Sequence, residues 1–513
     1  YKSEQFEFEN FDFEEYEFEE YDFDEFEFDF DQFDLDQIDL DQIISILLDE
    51  LSNLNYEDLL MAWFYNLADE DMLIDCEEEA TKEDLAIVGV KLYEKLTGNV
   101  ADPDSPNPFK DTDDRDIHKA FSLGFIKEYS LGIFEPYEPI TMEDAITLLY
   151  SVIRKSEPGL NYDVDIEWEL KETDFSSEYS YTAAKYMATK EIINIKSIED
   201  LICGQFFTRE ELIVLAKKIY EFTMQESNKA SKGLLWKISD ENSQVYLLGS
   251  IHVADTSIYP FDKSIMDAFN SADYLVVEAN MLSGILEYTI YTLEKSFYGD
   301  EDSIDKHISE ETYKLYDDFM KNIGALPELY NKFKPWYAYL YISSLNLSEN
   351  SYDYSSILGV DLYLLRKAYK NKEILEIEGA KFQIDLFENL SPELQEYLLA
   401  SILAERLEKE EYEEDAAESM DLLLSLWREG NAEVFEDIIN PTKKSDGSPI
   451  LTEYVIKFWL HRDRHMAEKI KSYLADEENK TYFVVVGAGH AVGDTGIIRT
   501  LISNGYTVEQ IIE

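Results

Sequence analysis

The sequence predicts an α/β protein: a C-terminal mixed sheet flanked by helices, preceded by an all-α repeat domain and a disordered acidic tail. Three observations carry this reading. In the C-terminal half, apolar runs of strand length lead into Gly-x-x-His near both ends of the region. Upstream, Thr-x-x-acid recurs three times, each time ahead of an apolar run with helical spacing. Further upstream, Phe or Tyr alternates with Asp or Glu. The expected parts are therefore 1–45, 46–228 and 229–513.

In the first part the pentapeptide Asp-Leu-Asp-Gln-Ile occurs at 34–38 and again at 39–43. Period-two alternation reads formally as strand, yet a row of unpaired carboxylates repels itself at neutral pH, so the expectation is an acidic disordered tail. Its carboxylates invite calcium, but no stretch has the Gly-containing spacing of an EF-hand loop.

Composition sets outer limits. A chain of 513 residues is expected to hold two to four units. Asp and Glu number 110 against 44 Lys and Arg, a formal charge of −66, which sets nucleic acid and anionic lipid aside, because phosphate binding draws on Lys and Arg. No run of about 18 apolar residues is present to span a bilayer. The chain opens on Tyr1 without a basic-then-apolar leader, and the expectation is a processed or shortened chain, extracellular or cell-wall associated, whose signal peptide is gone. Two cysteines, Cys76 and Cys203, exclude a disulfide scaffold and a thiolate zinc cluster.

The helix starts of the second part are Thr81-Lys-Glu-Asp84, Thr141-Met-Glu-Asp144 and Thr208-Arg-Glu-Glu211. Each fits a capping box, in which hydroxyl and carboxylate satisfy opposing backbone donors. Ahead of the second lie Phe109-Lys-Asp-Thr112, Ile117-His-Lys-Ala-Phe-Ser-Leu-Gly124 and Phe134-Glu-Pro-Tyr-Glu-Pro-Ile140. This order resembles an S-layer homology repeat. The resemblance implies three degenerate copies near 50–100, 105–156 and 172–224, in a helical cluster of the kind that attaches proteins to cell-wall polysaccharide. Arg209 keeps that family's basic residue, Lys82 matches it in part and Met142 departs, so a cluster that only packs stands beside wall binding. His118 is expected to be a surface or core residue.

In the third part, Gly233-Leu-Leu-Trp-Lys-Ile238 and Gln244-Val-Tyr-Leu-Leu-Gly-Ser-Ile-His252 read as two strands joined by the polar turn at 240–243. Gly249 lets the chain turn so that His252 stands just beyond the sheet. Thr481-Tyr-Phe-Val-Val-Val486 leads likewise into Gly487-Ala-Gly-His490 and then a helical pattern from Ile497. If both strands are parallel in one sheet, both imidazoles emerge at its carboxyl edge, where open α/β sheets place their ligands. A third strand, Tyr274-Leu-Val-Val-Glu-Ala-Asn280, ends on Glu278. Two His and one Glu suit a catalytic divalent metal with a position left open for water. Zinc fits, and ligand type equally admits manganese or cobalt.

The order of His252, Tyr259-Pro260, Glu278, Lys334-Pro-Trp336, Leu358-Gly-Val-Asp361, Leu375-Glu-Ile-Glu378 with Gln383, Arg462-Asp463 and Gly487-Ala-Gly-His490 resembles the TraB/PrgY/GumN family, which includes the Tiki proteases. The resemblance implies an α/β fold and metal-dependent hydrolysis over roughly 231–513, and a part expected to fold alone. It puts the family's two Gly-x-x-His motifs on His252 and His490, its strand-end Glu on Glu278 and its later Glu on Glu378. Its Arg-Asn pair falls on Arg462-Asp463, where Asp replaces an amide donor with an anion, and Asn280 stands where many relatives have an acid.

On that basis His252, Glu278 and His490 are the expected metal ligands, and Glu278, Glu378 and Arg462 the expected catalytic residues. Arg462 suits a developing oxyanion or a substrate carboxylate, or else a helix-face ion pair. Glu378 suits a general base or a carboxylate that orients a His. His461 and His465 are read as a solvated helix face and His307 as surface. The aromatic stripe Tyr337, Tyr339 and Tyr341 is read as helix packing that can also roof the cleft. The expected function is a metal-dependent peptidase acting on a peptide or protein at the cell surface. A non-catalytic peptide-binding protein and a structural wall protein are the alternatives. No Gly-x-Ser-x-Gly elbow or phosphate-binding Gly loop is present.

Overall fold

A strand buried on both faces needs a continuous apolar run, and residues 482–486 supply one. In the computed structural model this run lies in β5 (Thr481–Gly487), which is buried from 482 to 487. The structure describes residues 56–512 apart from 104–105, 128–131, 165–167, 169, 195–205, 241–242, 300, 346–353, 408, 440–447 and 477–478. The acidic tail expected at 1–45 lies outside the described residues.

β5 pairs in parallel with β2 (Gln244–Ser250) on one side and β3 (Tyr274–Val277) on the other. β4 (Glu373–Glu376) adds a further parallel strand beyond β3. β1 (Leu234–Ser239) folds back antiparallel on β2, and β6 (Thr507–Ile511) pairs antiparallel with β1. The order is β4-β3-β5-β2-β1-β6, a mixed six-stranded sheet. Helices that include Lys263–Ser271, Val360–Ala368, His461–Leu474 and Ile497–Ser503 flank it. The register sets Ser250 opposite Gly487 and Val277 opposite Val485. The chain therefore leaves β2, β3 and β5 at one edge, which is the edge where a crevice can form.

The N-terminal part is helical, and its three starts are capping boxes at Thr81, Thr141 and Thr208, as the spacing predicts. The residues just before these caps join in a ring: Ala80 N–H donates to Phe207, Phe207 N–H to Ile140 and Ile140 N–H to Ala80, at 2.8, 3.2 and 2.9 Å. Each of the three segments thus satisfies a backbone group of another, which none can do for itself. The basic residues after two of the caps work inside this ring. Arg209 pairs with Asp84 at 3.1 Å and Glu78 at 3.3 Å, and Lys82 pairs with Glu135 and Glu138.

One hydrophobic core crosses the expected boundary near 229. Tyr65 and Tyr220 of the helical part, 4.6 Å apart, share it with Tyr259, Phe261 and Tyr363 of the sheet-bearing part. Beside it, Arg366 grips Glu57 through Nε and Nη2 at 2.6 and 3.2 Å, and its Nη1 holds the Ile357 carbonyl at 2.9 Å. A separate core joins the helices Glu310–Asn322, Pro335–Ser344 and Pro392–Leu407, and Tyr337, Tyr339 and Tyr341 pack against it. No helix among the described residues is long and apolar enough to cross a membrane.

Candidate functional site

The parallel strands deliver three side chains to one place. His252 follows β2 by two residues, Glu278 follows β3 directly and His490 follows β5 by three. They surround Gly487. A Cβ built there would stand 3.4 Å from His252 Nε2, 3.5 Å from Glu278 Oε1 and 3.6 Å from His490 Cδ2. With no side chain at residue 487, all three border the same small space.

Each imidazole is held from behind. Asp361 lies 3.1 Å from His252 Nδ1, and Asp463 lies 2.6 Å from His490 Nδ1. The Thr495 hydroxyl donates to the second oxygen of Asp463 at 2.7 Å. In the neutral ring that can bind a metal, a carboxylate on Nδ1 holds the proton there and leaves Nε2 as the acceptor, the usual arrangement behind a metal-binding His. Gly359 seats the first pair, since a Cβ there would collide with the His252 carbonyl, and Val360 N–H donates to Ile251 at 2.9 Å.

Glu378 arrives beside Glu278 because the backbone pairing continues past the strands: Glu378 and Gly379 N–H both donate to the Glu278 carbonyl, at 3.0 and 2.8 Å. Arg462 spans the two side chains. Its Nη2 donates to Glu278 at 2.6 Å, and its Nε and Nη2 donate to Glu378, each at 2.8 Å. Gln383 donates to both carboxylates at 3.4 Å. Glu378 is wholly buried and contacts neither imidazole nitrogen in this network; Asp361 and Asp463 take those positions. Arg462 is thus an internal ion pair between buried groups, not a charge on a solvent-facing helix. Asn280 stands outside this network, its side chain accepting from Leu282 N–H at 3.1 Å.

The charges follow from these contacts. Burial alone would push the Glu278 carboxyl up, but His490, Arg462, His252 and the Gly487 N–H together hold it below its ordinary value. Asp361, through its hydrogen bond, raises His252 to about 9 against the pull of burial. The His252 side chain is 61% exposed at the rim, so solvent screens that pair. Burial pushes Asp463 above the ordinary value even with His490 beside it. Both Glu278 oxygens already accept hydrogen bonds, from Gly487 and Arg462. Among the described residues, no group of three or more His, Cys, Asp or Glu side chains is arranged as a metal cluster.

A π-helical turn, Val455–Leu460, precedes Arg462. Such turns add a residue to the helical repeat and re-aim the side chains beyond them. Trp459 in this turn lies 5.0 Å from the His490 ring. Gly489 makes room for it, since a Cβ there would sit 2.5 Å from the indole. Trp459, Met420, Leu423, Phe435 and Ile439 line a cavity of about 260 Å³ that also touches His252 and His490.

Sequence reasoning gathered His252, Glu278, Glu378, Arg462 and His490 but missed Asp361 and Asp463 as the partners of the imidazoles. Both stand inside quoted motifs, and Asp463 directly follows Arg462. Adjacent helical residues point in different directions, so Arg462 faces the glutamates while Asp463 faces His490. The remaining histidines lie elsewhere. His461 is exposed. His465 donates to the Ile377 carbonyl at 3.2 Å and lies flat on Phe382. His307 pairs with Asp302 and stacks on Tyr298, and His118 sits in the helix Arg115–Leu123.

A model of the TraB/PrgY/gumN family matches residues 234–510, more than half of the chain. A curated relative, a metalloprotease TIKI homolog from Amphimedon queenslandica, is 32% identical over 62 residues. That match covers 12% of this chain and 12% of the relative. The family match begins after the helical part, so the S-layer resemblance of that part rests on its sequence pattern.

Proposed function

Because the chain belongs to the TraB/PrgY/gumN family, we propose that it is a metal-dependent hydrolase of peptide or protein substrates. One observation carries the proposal: His252 Nε2, Glu278 Oε1 and His490 Cδ2 lie 3.4–3.6 Å from a Cβ built at Gly487, with both Nδ1 atoms beside carboxylates. The donor set fits zinc, manganese or cobalt by ligand type. Glu278 retains capacity, because each carboxylate oxygen carries two lone pairs. A bound divalent ion supplies Lewis-acid polarisation of a carbonyl and acidification of a water.

The chain's own residues prepare that chemistry. Asp361 and Asp463 fix the tautomers that present Nε2. Arg462 holds Glu278 and Glu378 in place, as a guanidinium fork can for two carboxylates. Glu378, in this reading, acts through Arg462 and Glu278 to set the position of the ligand carboxylate. Attachment to wall polysaccharide through the helical ring, and action outside the cell, extend the proposal; binding of the full chain to purified cell wall tests them. Hydrolysis is tested by incubating the full chain with a peptide library and each of the three metals, reading cleavage by mass spectrometry. Metal-dependent cleavage that a chelator abolishes is expected. Tight metal binding without cleavage of any peptide would leave a binding protein instead.

A further inference from the structure

The cavity beside the two histidines differs in character from the network beneath it. Its wall comes from two helices, Lys409–Glu429 through Met420 and Leu423 and Ala432–Ile439 through Phe435 and Ile439, with Trp459 of the π-helical turn. In a chain of formal charge −66, no Asp, Glu, Lys or Arg among the described residues lines it. Its volume of about 260 Å³ lies below the roughly 300–1,000 Å³ of sites that enclose drug-sized ligands. It suits one side chain. Ser250 Oγ, which belongs to a residue lining the cavity, is buried without a hydrogen-bond partner.

We infer that this cavity is a specificity pocket that takes a bulky apolar side chain, Phe or Leu in type, next to the bond the site attacks. The inference rests on the peptide-hydrolase reading. Continuity supports it, since His252 and His490 line the same cavity as the apolar residues. A side chain seated there holds its own backbone against the Nε2 side of the imidazoles. A charged side chain would leave water for a lining whose polar groups are two imidazoles, the Ser250 hydroxyl and the Trp459 indole N–H, too few to replace its hydration. Met420 lets the pocket adjust between branched and aromatic shapes, because an unbranched thioether repacks easily. Trp459 reaches the cavity only because residue 489, inside the second Gly-x-x-His segment, is Gly.

The test uses the full chain and peptides identical except at one position, occupied by Phe, Leu, Ala, Lys or Asp. Cleavage is measured with the metal-loaded protein, and binding is measured separately with the metal-free protein. Phe and Leu peptides are expected to exceed Ala, Lys and Asp peptides by about 10-fold or more, the scale at which apolar pockets discriminate. Leu423→Trp, which fills the cavity, should reverse the order of Phe and Ala. Leu423→Ala, which enlarges it, should move the preference toward Trp. Equal cleavage of all peptides, or preference for Lys or Asp, overturns the pocket and leaves the hydrolase standing. Apolar preference in binding without cleavage keeps the pocket and removes the hydrolase. If Leu423→Trp fails to fold, the peptide series and Leu423→Ala still decide.

Discussion

Asp361 and Asp463 decide which imidazole nitrogen is free, and their removal has separable consequences. Replacing Asp463 by Asn is expected to weaken metal affinity by about 10–100-fold, the usual cost of losing a carboxylate behind a ligand His; an unchanged dissociation constant in a metal titration would argue against its role. His252, raised to about 9 by Asp361, gives a pH signature in the metal-free protein. A His whose folded value is raised stabilises the fold fully below its unfolded value of about 6.5, and that stabilisation is lost as pH climbs through about 9. Asp361→Asn should return the His252 titration toward about 6.5 by NMR and remove that decline from denaturant-measured stability. An unmoved titration would show that Asp361 is not its cause. Arg462 carries a larger burden, because its removal leaves Glu278 and Glu378 buried without a cation. Arg462→Met is expected to cost about 3–5 kcal/mol of stability, and a cost under about 1 kcal/mol would mean the pair is solvated.

At the scale of elements, Gly487 is where strand geometry meets chemistry. Its ideal Cβ would meet its neighbours at 3.4–3.6 Å, which for His252 Nε2 and Glu278 Oε1 is ordinary contact, so Gly487→Ala should fold. It should nevertheless fail to load metal, because the methyl occupies the space the three side chains border. Full metal stoichiometry in a folded Gly487→Ala protein would place the site elsewhere. Much of this geometry is legible in the sequence. The apolar runs before Gly249 and Gly487 mark two strands, and their shared Gly-x-x-His marks a shared edge once they are parallel. The three Thr-x-x-acid spacings mark three helix starts, because a capping box is a local device. The hidden features depend on distant contacts: the pairing of Asp361 with His252, the ring through Ala80, Ile140 and Phe207, and the π-helical turn that brings Trp459 to His490. No local pattern in residues 455–460 announces that turn.

The whole molecule is held by one core across the two recognisable parts. Sequence pattern favours an independent unit at 231–513, since all the family-like motifs lie there. The structure instead buries Tyr259 and Tyr363 against the helical part and ties Arg366 to Glu57. Residues 231–513 alone are therefore expected to melt below the full chain and to self-associate through the uncovered face; equal melting temperatures and a monomeric sedimentation profile would contradict this. Arg366 also holds the Ile357 carbonyl, just ahead of the helix that carries Asp361, so the same contact braces one side of the site. In the proposed function His252 and His490, 238 positions apart, serve one metal ion. Metal content per chain in the wild type, His252→Ala, His490→Ala and the double variant tests it most directly, with peptide hydrolysis measured in parallel. One ion per wild-type chain is expected, with loss of metal and hydrolysis together in either single variant and little further loss in the double, because the two residues act as a unit. Single variants that keep full stoichiometry and full activity would contradict it.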